Sequence, residues 1–208
     1  VIDNDEPERV AEAVRILDLH YVVITSVDRD DLEDLGSMQY AKTIGRMREV
    51  NPDVRIEALI PDFNAHRSLL KTVVNAYPFV LGHNIETVHR LTPHIRDRRC
   101  SYETSLKVLH TAKALHPSIY TKSGFMVGLG EDHDEIIQTL HDLKKCAVDT
   151  VTVGQYLQPT RKHHIVQKYY TPEEFDAFEE IGRKIGIPHV VSGPLVRSSF
   201  HASDIDYS

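Results

Sequence analysis

The chain has 208 residues, 41% of them hydrophobic and 26% charged, with a formal charge of −7. That composition suits one soluble globular domain with a sizeable core, and the lack of a basic stripe argues against a nucleic-acid binder. No apolar run approaches the length of a membrane span, and the opening VIDNDEPERV is acidic with no apolar stretch of the signal-peptide kind. Cys100 and Cys146 stand far apart without a spacing signature, which argues against a disulfide framework. The first residue is valine, so the chain is expected to be part of a longer protein.

Helical periodicity from Pro7 to Asp18 puts Val10, Ala13, Val14 and Leu17 on one face, with Pro7 near the helix start. HYVVITS then reads as a buried strand. Ser37 to Val50 is a helix with a Tyr40, Ala41, Ile44 and Met47 stripe, VRIEALI a strand ended by Pro61, and His66 to Ala76 a helix. FVLGHN is a strand, Tyr102 to Leu115 a helix, IYTKSGFMVGLG a strand, Asp134 to Cys146 a helix and DTVTVGQYLQP a strand. Thr171 caps a helix with Pro172 and two glutamates in its first turn, Gly186 closes it, and HVVSG is the last strand.

Strict β and α alternation over roughly six strands implies a parallel sheet, doubly wound or curled into a barrel. Such sheets bind ligands at the carboxyl ends of their strands. Every strand here ends in a polar cluster: Ser26 to Asp31; Asp62; His83, Asn84 and Glu86; Gly128 to Glu131; Gln155 to Gln158; and Arg197 to His201. Six clusters at one end argue for a site at the mouth of an open α/β barrel, a partial (β/α)6 arrangement related to the TIM barrel.

Asn84 and Glu86 are a pair able to grip vicinal hydroxyls, or else Asn84 caps the next helix. Lys122 interrupts an apolar strand and needs a partner if buried. Gly128 and Gly130 permit close approach of backbone to a ligand, or a turn into the next helix. The segment SGPLVRSSFHASD, with an apolar run before two serines, reads as a piece that docks and places hydroxyls at a chosen spot. No HExxH pattern supports a zinc site and no GxSxG elbow supports a serine hydrolase.

YVVITSVDRDDL, HNIETV, TKSGFMVGLGE, GQYLQPT and GPLVRSSFHA resemble, in order and spacing, the lipoyl synthases of the radical S-adenosylmethionine (SAM) superfamily. The resemblance covers essentially the whole chain as a single barrel domain, residues 1–208, whose segment 192–208 closes on the site. It implies a sulfurtransferase that inserts two sulfurs, at the sixth and eighth carbons of an octanoyl group held on a lipoyl carrier domain or the glycine-cleavage H protein. It implies SAM and two [4Fe–4S] clusters as cofactors, and an electron donor such as a flavodoxin or ferredoxin. By the same resemblance Asn84 and Glu86 hold the ribose or amino-acid part of SAM. Ser26 and Asp28 lie by its methionine end, Gly128, Gly130 and Glu131 lie against the adenosyl part, and Lys122 sits in the mouth. Ser199, or else Ser198, ligates an iron of the auxiliary, sulfur-donating cluster.

Three positions depart from the family: Gly82 replaces an asparagine, Phe200 replaces a tyrosine, and HHIV stands where the family has an HLPV-like run. Both cysteine triads that the family needs are absent from the 208 residues, and its first barrel strand is expected upstream, leaving a sheet edge exposed. The alternatives are a non-catalytic paralogue that binds a lipoyl carrier domain, and a biotin-synthase-like radical enzyme, which shares HNIET. A prokaryotic origin implies the cytoplasm, a eukaryotic one mitochondria or plastids.

Overall fold

The computed structural model describes residues 2–207. Six strands, β1 (Tyr21–Thr25), β2 (Arg55–Leu59), β3 (Val80–Gly82), β4 (Tyr120–Val127), β5 (Thr150–Gln155) and β6 (His189–Gly193), form one sheet in that order. All five pairings are parallel, from β1 with β2 to β5 with β6. The sheet is open, with β1 and β6 as its edges. Helices α1 (Glu6–Ile16), α2 (Ser37–Val50), α3 (Arg67–Val74), α5 (Tyr102–Leu115), α6 (His133–Lys145) and α7 (Pro172–Ile185) supply the cross-overs and an outer layer. A single turn, α4 (Thr92–Ile95), precedes α5.

Strand periodicity decides what goes where. On β2 and β3, Ile56, Ala58 and Leu81 join the core with Ile44 and Met47 of α2 and Leu70 and Val73 of α3. On β4 to β6, Phe125, Val127, Val151, Val153 and Val190 meet α5 to α7 through Leu109, Leu140 and Phe178. The alternate residues face the concave side: Glu57 and Leu59; Val80 and Gly82; Lys122 and Gly124; Thr150 and Gly154; His189 and Gly193. Beside Leu59 and Val80 this face carries the polar Glu57, Lys122, Thr150 and His189 and four glycines.

Local chemistry fixes the helix ends. Asp132 with Glu135, and Thr171 with Glu174, each form a reciprocal capping box at the starts of α6 and α7. Gly186 takes the left-handed conformation that ends α7.

The sequence places the end of α1 two residues late and its buried stripe on a rotated face. Its buried residues are Pro7, Ala11 and Val14, while Leu17 lies beyond the helix and is exposed. The reason is that α1 packs on α2 along a narrow stripe and leaves its other apolar residues at the rim. The one-turn α4, too short to carry periodicity, went unseen. Asn84 caps no helix, since the next helical turn starts at His89.

Candidate functional site at the strand carboxyl ends

A cavity of about 320 Å³ opens at the carboxyl ends of β1 to β3, a size at the lower end of small-molecule sites. It is walled by the loops after those strands and by the segment from Arg96 to Cys100. Ser26, Asp28, Asn84 and Glu86 all line it. The stretch SVDRDD is therefore a wall of this cavity as well as a solvated loop.

The geometry here is strained. Glu86 has φ 69°, a left-handed conformation that costs a non-glycine residue roughly 1–2 kcal/mol. It is held by backbone bonds on both sides, from its amide to Gly124 and from the Met126 amide to its carbonyl, at 3.0 and 2.9 Å. Phe63, Asn64 and Ala65 are also left-handed in succession, with φ of 46°, 52° and 50°. The Asp62 carboxylate accepts from the Asn64 amide at 2.8 Å, and Phe63 packs edge-on against Tyr40. Strain of this kind concentrates at binding sites and persists only where the surroundings enforce it.

Burial pushes the Glu86 carboxyl up, while a hydrogen bond from Asn84 and the Arg96 charge pull it back. Gly124 makes room for this pair. A Cβ there would lie 3.2 Å from the Asn84 side-chain oxygen and 2.5 Å from the Thr152 hydroxyl.

Three arginines line the cavity, and two are engaged by carboxylates. Arg29 grips Asp31 with two bonds of 2.7 Å. Arg99 pairs with Asp97 and reaches across the opening to Asp30, tying the two loops together. Arg96 makes no ion pair among the described residues and donates only to the Ser105 hydroxyl, at 2.7 Å. That hydroxyl meets His83 Nε2 at 3.0 Å, and His83 Nδ1 meets the Ile60 carbonyl at 2.9 Å. A carbonyl only accepts, so Nδ1 carries the proton and Nε2 accepts from Ser105. Burial lowers the His83 pKa to about 4, so the ring is neutral and its role is to hold Ser105 and Arg96 in place.

Other residues singled out in the sequence stand elsewhere. Lys122 points into the concave face beneath the cavity and is 2% exposed. Its ammonium lies 3.0 and 3.1 Å from the Glu57 carboxylate oxygens, and the Tyr21 hydroxyl donates to Glu57 at 2.6 Å. It does not reach the mouth; the partner a buried lysine needs is Glu57. Gly128, Gly130 and Glu131 do not line this cavity. The Glu131 carboxylate accepts from the Gly128 and Leu129 amides at 2.6 and 2.9 Å and from the Tyr170 hydroxyl at 2.9 Å. A Cβ on Gly128 would overlap Gln155 and the Lys168 carbonyl. The glycine here admits neighbouring backbone, and the loop is braced internally. Ser198 and Ser199 lie in the turn after β6, the first half-buried and the second exposed, and do not line this cavity.

Arg96 was missed from sequence. It sits in IRDRR, where nothing but the fold separates it from Arg98 and Arg99. Among the described residues no group of three or more His, Cys, Asp or Glu could hold a metal ion, and both cysteines are free. No described helix is long and apolar enough to cross a membrane.

The Radical SAM superfamily model matches residues 1–143. The lipoyl synthase of Pyrobaculum arsenaticum is 52% identical over 206 residues, covering 98% of this chain and 69% of that protein. The mitochondrial lipoyl synthase of Nematostella vectensis is 49% identical over 201 residues, covering 97% of this chain and 68% of that protein. Among solved structures, the [FeFe]-hydrogenase maturase HydG superposes with TM-score 0.70 at 14% identity, over 91% of this chain and 45% of that one. Methylornithine synthase superposes with TM-score 0.64 at 13% identity, over 95% and 64%. The two structural matches speak to the fold alone. At about half identity over nearly all its length, the chain belongs to the lipoyl synthase family of the radical SAM superfamily.

Proposed function

We propose that the cavity at the ends of β1 to β3 holds SAM in a lipoyl synthase that inserts two sulfurs into a protein-bound octanoyl group. The observation that carries this is the donor set. A carboxylate and a carboxamide side by side, Glu86 and Asn84, suit a vicinal diol. An arginine without a carboxylate partner, Arg96, suits the carboxylate of an amino acid. Ser26 and Asp28 face them across the same cavity and form the methionine end. When bound, SAM supplies the hydrogen-abstracting radical; the residues here bind and orient it and limit water around it.

His83 and Ser105 keep the Arg96 guanidinium aimed at the cavity, and the Arg99–Asp30 pair closes one side. The loop from Gly128 to Glu131 contributes through its fixed backbone, which the Glu131 carboxylate holds, and lies toward the adenosyl part. Lys122 acts one layer below the cofactor, as the polar floor of the site.

The family implies iron–sulfur clusters. The described residues do not fit one: the two cysteines serve different elements, Cys100 in the cavity wall and Cys146 capping α6. Ser199, with Ser198 as the alternative, is the proposed oxygen ligand to one iron of an auxiliary [4Fe–4S] cluster, in a family that uses two. The proposed partners are an octanoylated lipoyl carrier domain or the glycine-cleavage H protein, and a flavodoxin- or ferredoxin-type electron donor. Val27, Leu157 and Leu195, exposed apolar residues in the loops after β1, β5 and β6, offer a docking rim.

Equilibrium binding of SAM tests the reading. Glu86→Gln and Arg96→Met should each weaken binding by about tenfold or more, the loss of a charged hydrogen bond. Affinity unchanged in both variants contradicts it.

A further inference from the structure

The segment after β6 does not leave the barrel. It re-enters along the concave face. At the top, Val196 lies against Gly154 and Gly193. A Cβ on Gly154 would overlap the Val196 carbonyl oxygen, and one on Gly193 would sit 3.1 Å from a Val196 methyl. At the bottom, Tyr207 is buried in the barrel floor. Its ring lies 4.5 Å from Tyr120, 5.5 Å from Phe79 and 5.5 Å from His189, centroid to centroid. The Tyr207 hydroxyl accepts from Thr150 at 3.2 Å, and its carbonyl accepts from the Tyr120 hydroxyl. Ile205 joins the same floor cluster with Val80.

Thr150 and Gly154 lie on one face of one strand, four residues apart, which is roughly 13 Å at strand rise. The segment therefore runs the height of the barrel, from mouth to floor, inside the β5–β6 half. The half beside β1 to β3 is left to the cavity.

We propose that the segment from Val196 to Tyr207 is an internal strut, and that Tyr207 is the positioning residue whose anchorage in the floor holds the Arg197–Ser198–Ser199 turn at the mouth. This rests on the reading above that the serines act at the site; the strut itself is independent of that reading. Three features argue for an anchor over incidental packing. The floor contact uses both polar ends of the tyrosine, its hydroxyl and its own backbone carbonyl. The receiving rings come from β3's lead-in, β4 and β6, so the contact spans most of the sheet. Gly154 and Gly193 are both inward-facing positions where a side chain would block the path, and they stand directly opposite each other in register.

Between its two ends the segment makes short-range bonds, such as Phe200 to Arg197 at 2.9 Å and Asp204 to His201 at 3.0 Å, and buries Ala202 and Ile205.

Hydrogen–deuterium exchange on the whole chain, without added iron or SAM, reads this directly. Tyr207→Ala should speed exchange of the amides from Arg197 to Ala202 by about tenfold or more, leaving those of Ile56 and Leu81 unchanged, as expected for release of a local unit. Tyr207→Phe keeps the ring contacts and should restore slow exchange to within about threefold of wild type. Should the alanine variant fail to fold, Tyr120→Phe removes only the hydroxyl on the Tyr207 carbonyl and should still speed exchange at the same amides. Wild-type exchange at Arg197 to Ala202 in Tyr207→Ala, or in Tyr120→Phe where that variant stands in, overturns the proposal. In a lipoyl synthase that carries its cluster cysteines, replacing the serine equivalent to Ser199 by alanine with no change in iron content would instead remove the serine-ligand reading and leave the strut intact.

Discussion

His83 shows how a single buried side chain sets a condition on the whole site. Its pKa falls from 6.5 to about 4 because burial penalises the imidazolium. The folded protein therefore refuses a proton that the unfolded chain accepts. The stability this contributes is fully present above the unfolded value of 6.5 and is lost progressively as pH falls toward about 4. Urea unfolding at a series of pH values should show that loss, and His83→Gln should flatten it while lowering stability at pH 7 by about 1–3 kcal/mol for the broken Ser105 contact. An unchanged pH profile in the variant would show that His83 is not the titrating group. Lys122 and Glu57 obey a different rule, since both are charged and at most 2% exposed. Removing one partner strands the other charge. Glu57→Ala should cost about 3–5 kcal/mol in a urea melt, and pairing Lys122→Met with Glu57→Leu should recover most of it. If the single variant is as stable as wild type, the pair is not formed as described.

At the scale of elements, the closing of helices by local chemistry was largely legible. Thr171 with Pro172 and Glu174 names the start of α7, and the capping box is there. Thr171→Ala should lower stability by about 1 kcal/mol, measured as a shift in the urea midpoint without a change in slope. A shift below the error of the melt would mean that water caps the helix equally well. The strands were legible because β-branched runs between polar clusters have few other readings. The turn at Phe63 to Ala65 was not legible. Of its three left-handed residues only Asn64 is of a type that favours that conformation; at Phe63 and Ala65 the fold imposes it, with the Asp62 bond and the Phe63–Tyr40 contact beside them. Arg96 was hidden for a similar reason: its value lies in lacking a carboxylate partner while its neighbour Arg99 has two, which is a fact of three-dimensional placement. The sequence does not show that the Glu131 carboxylate accepts from the amides of its own loop, at Gly128 and Leu129.

Across the whole molecule, the open sheet divides its concave side between two occupants. The half under β1 to β3 carries the cavity and its strained loops, and the half under β5 and β6 carries the segment ending at Tyr207. Lys122 and Glu57 form the polar layer between cavity and floor. The β1 edge borders a groove of about 520 Å³ between α1 and α2, lined by Val23 and Ile24, and the chain spans 69% of the length of its relative from Pyrobaculum arsenaticum. The proposed SAM site is formed by the loops after β1 and β3 and by the segment at Arg96. The most direct measurement is amide exchange with and without saturating SAM, resolved by residue. Exchange should slow at Ser26 to Asp30, Asn84 to Glu86 and Arg96 to Cys100, with the floor amides near Tyr120 unchanged. Protection confined to other loops, or no protection at saturation, would contradict it.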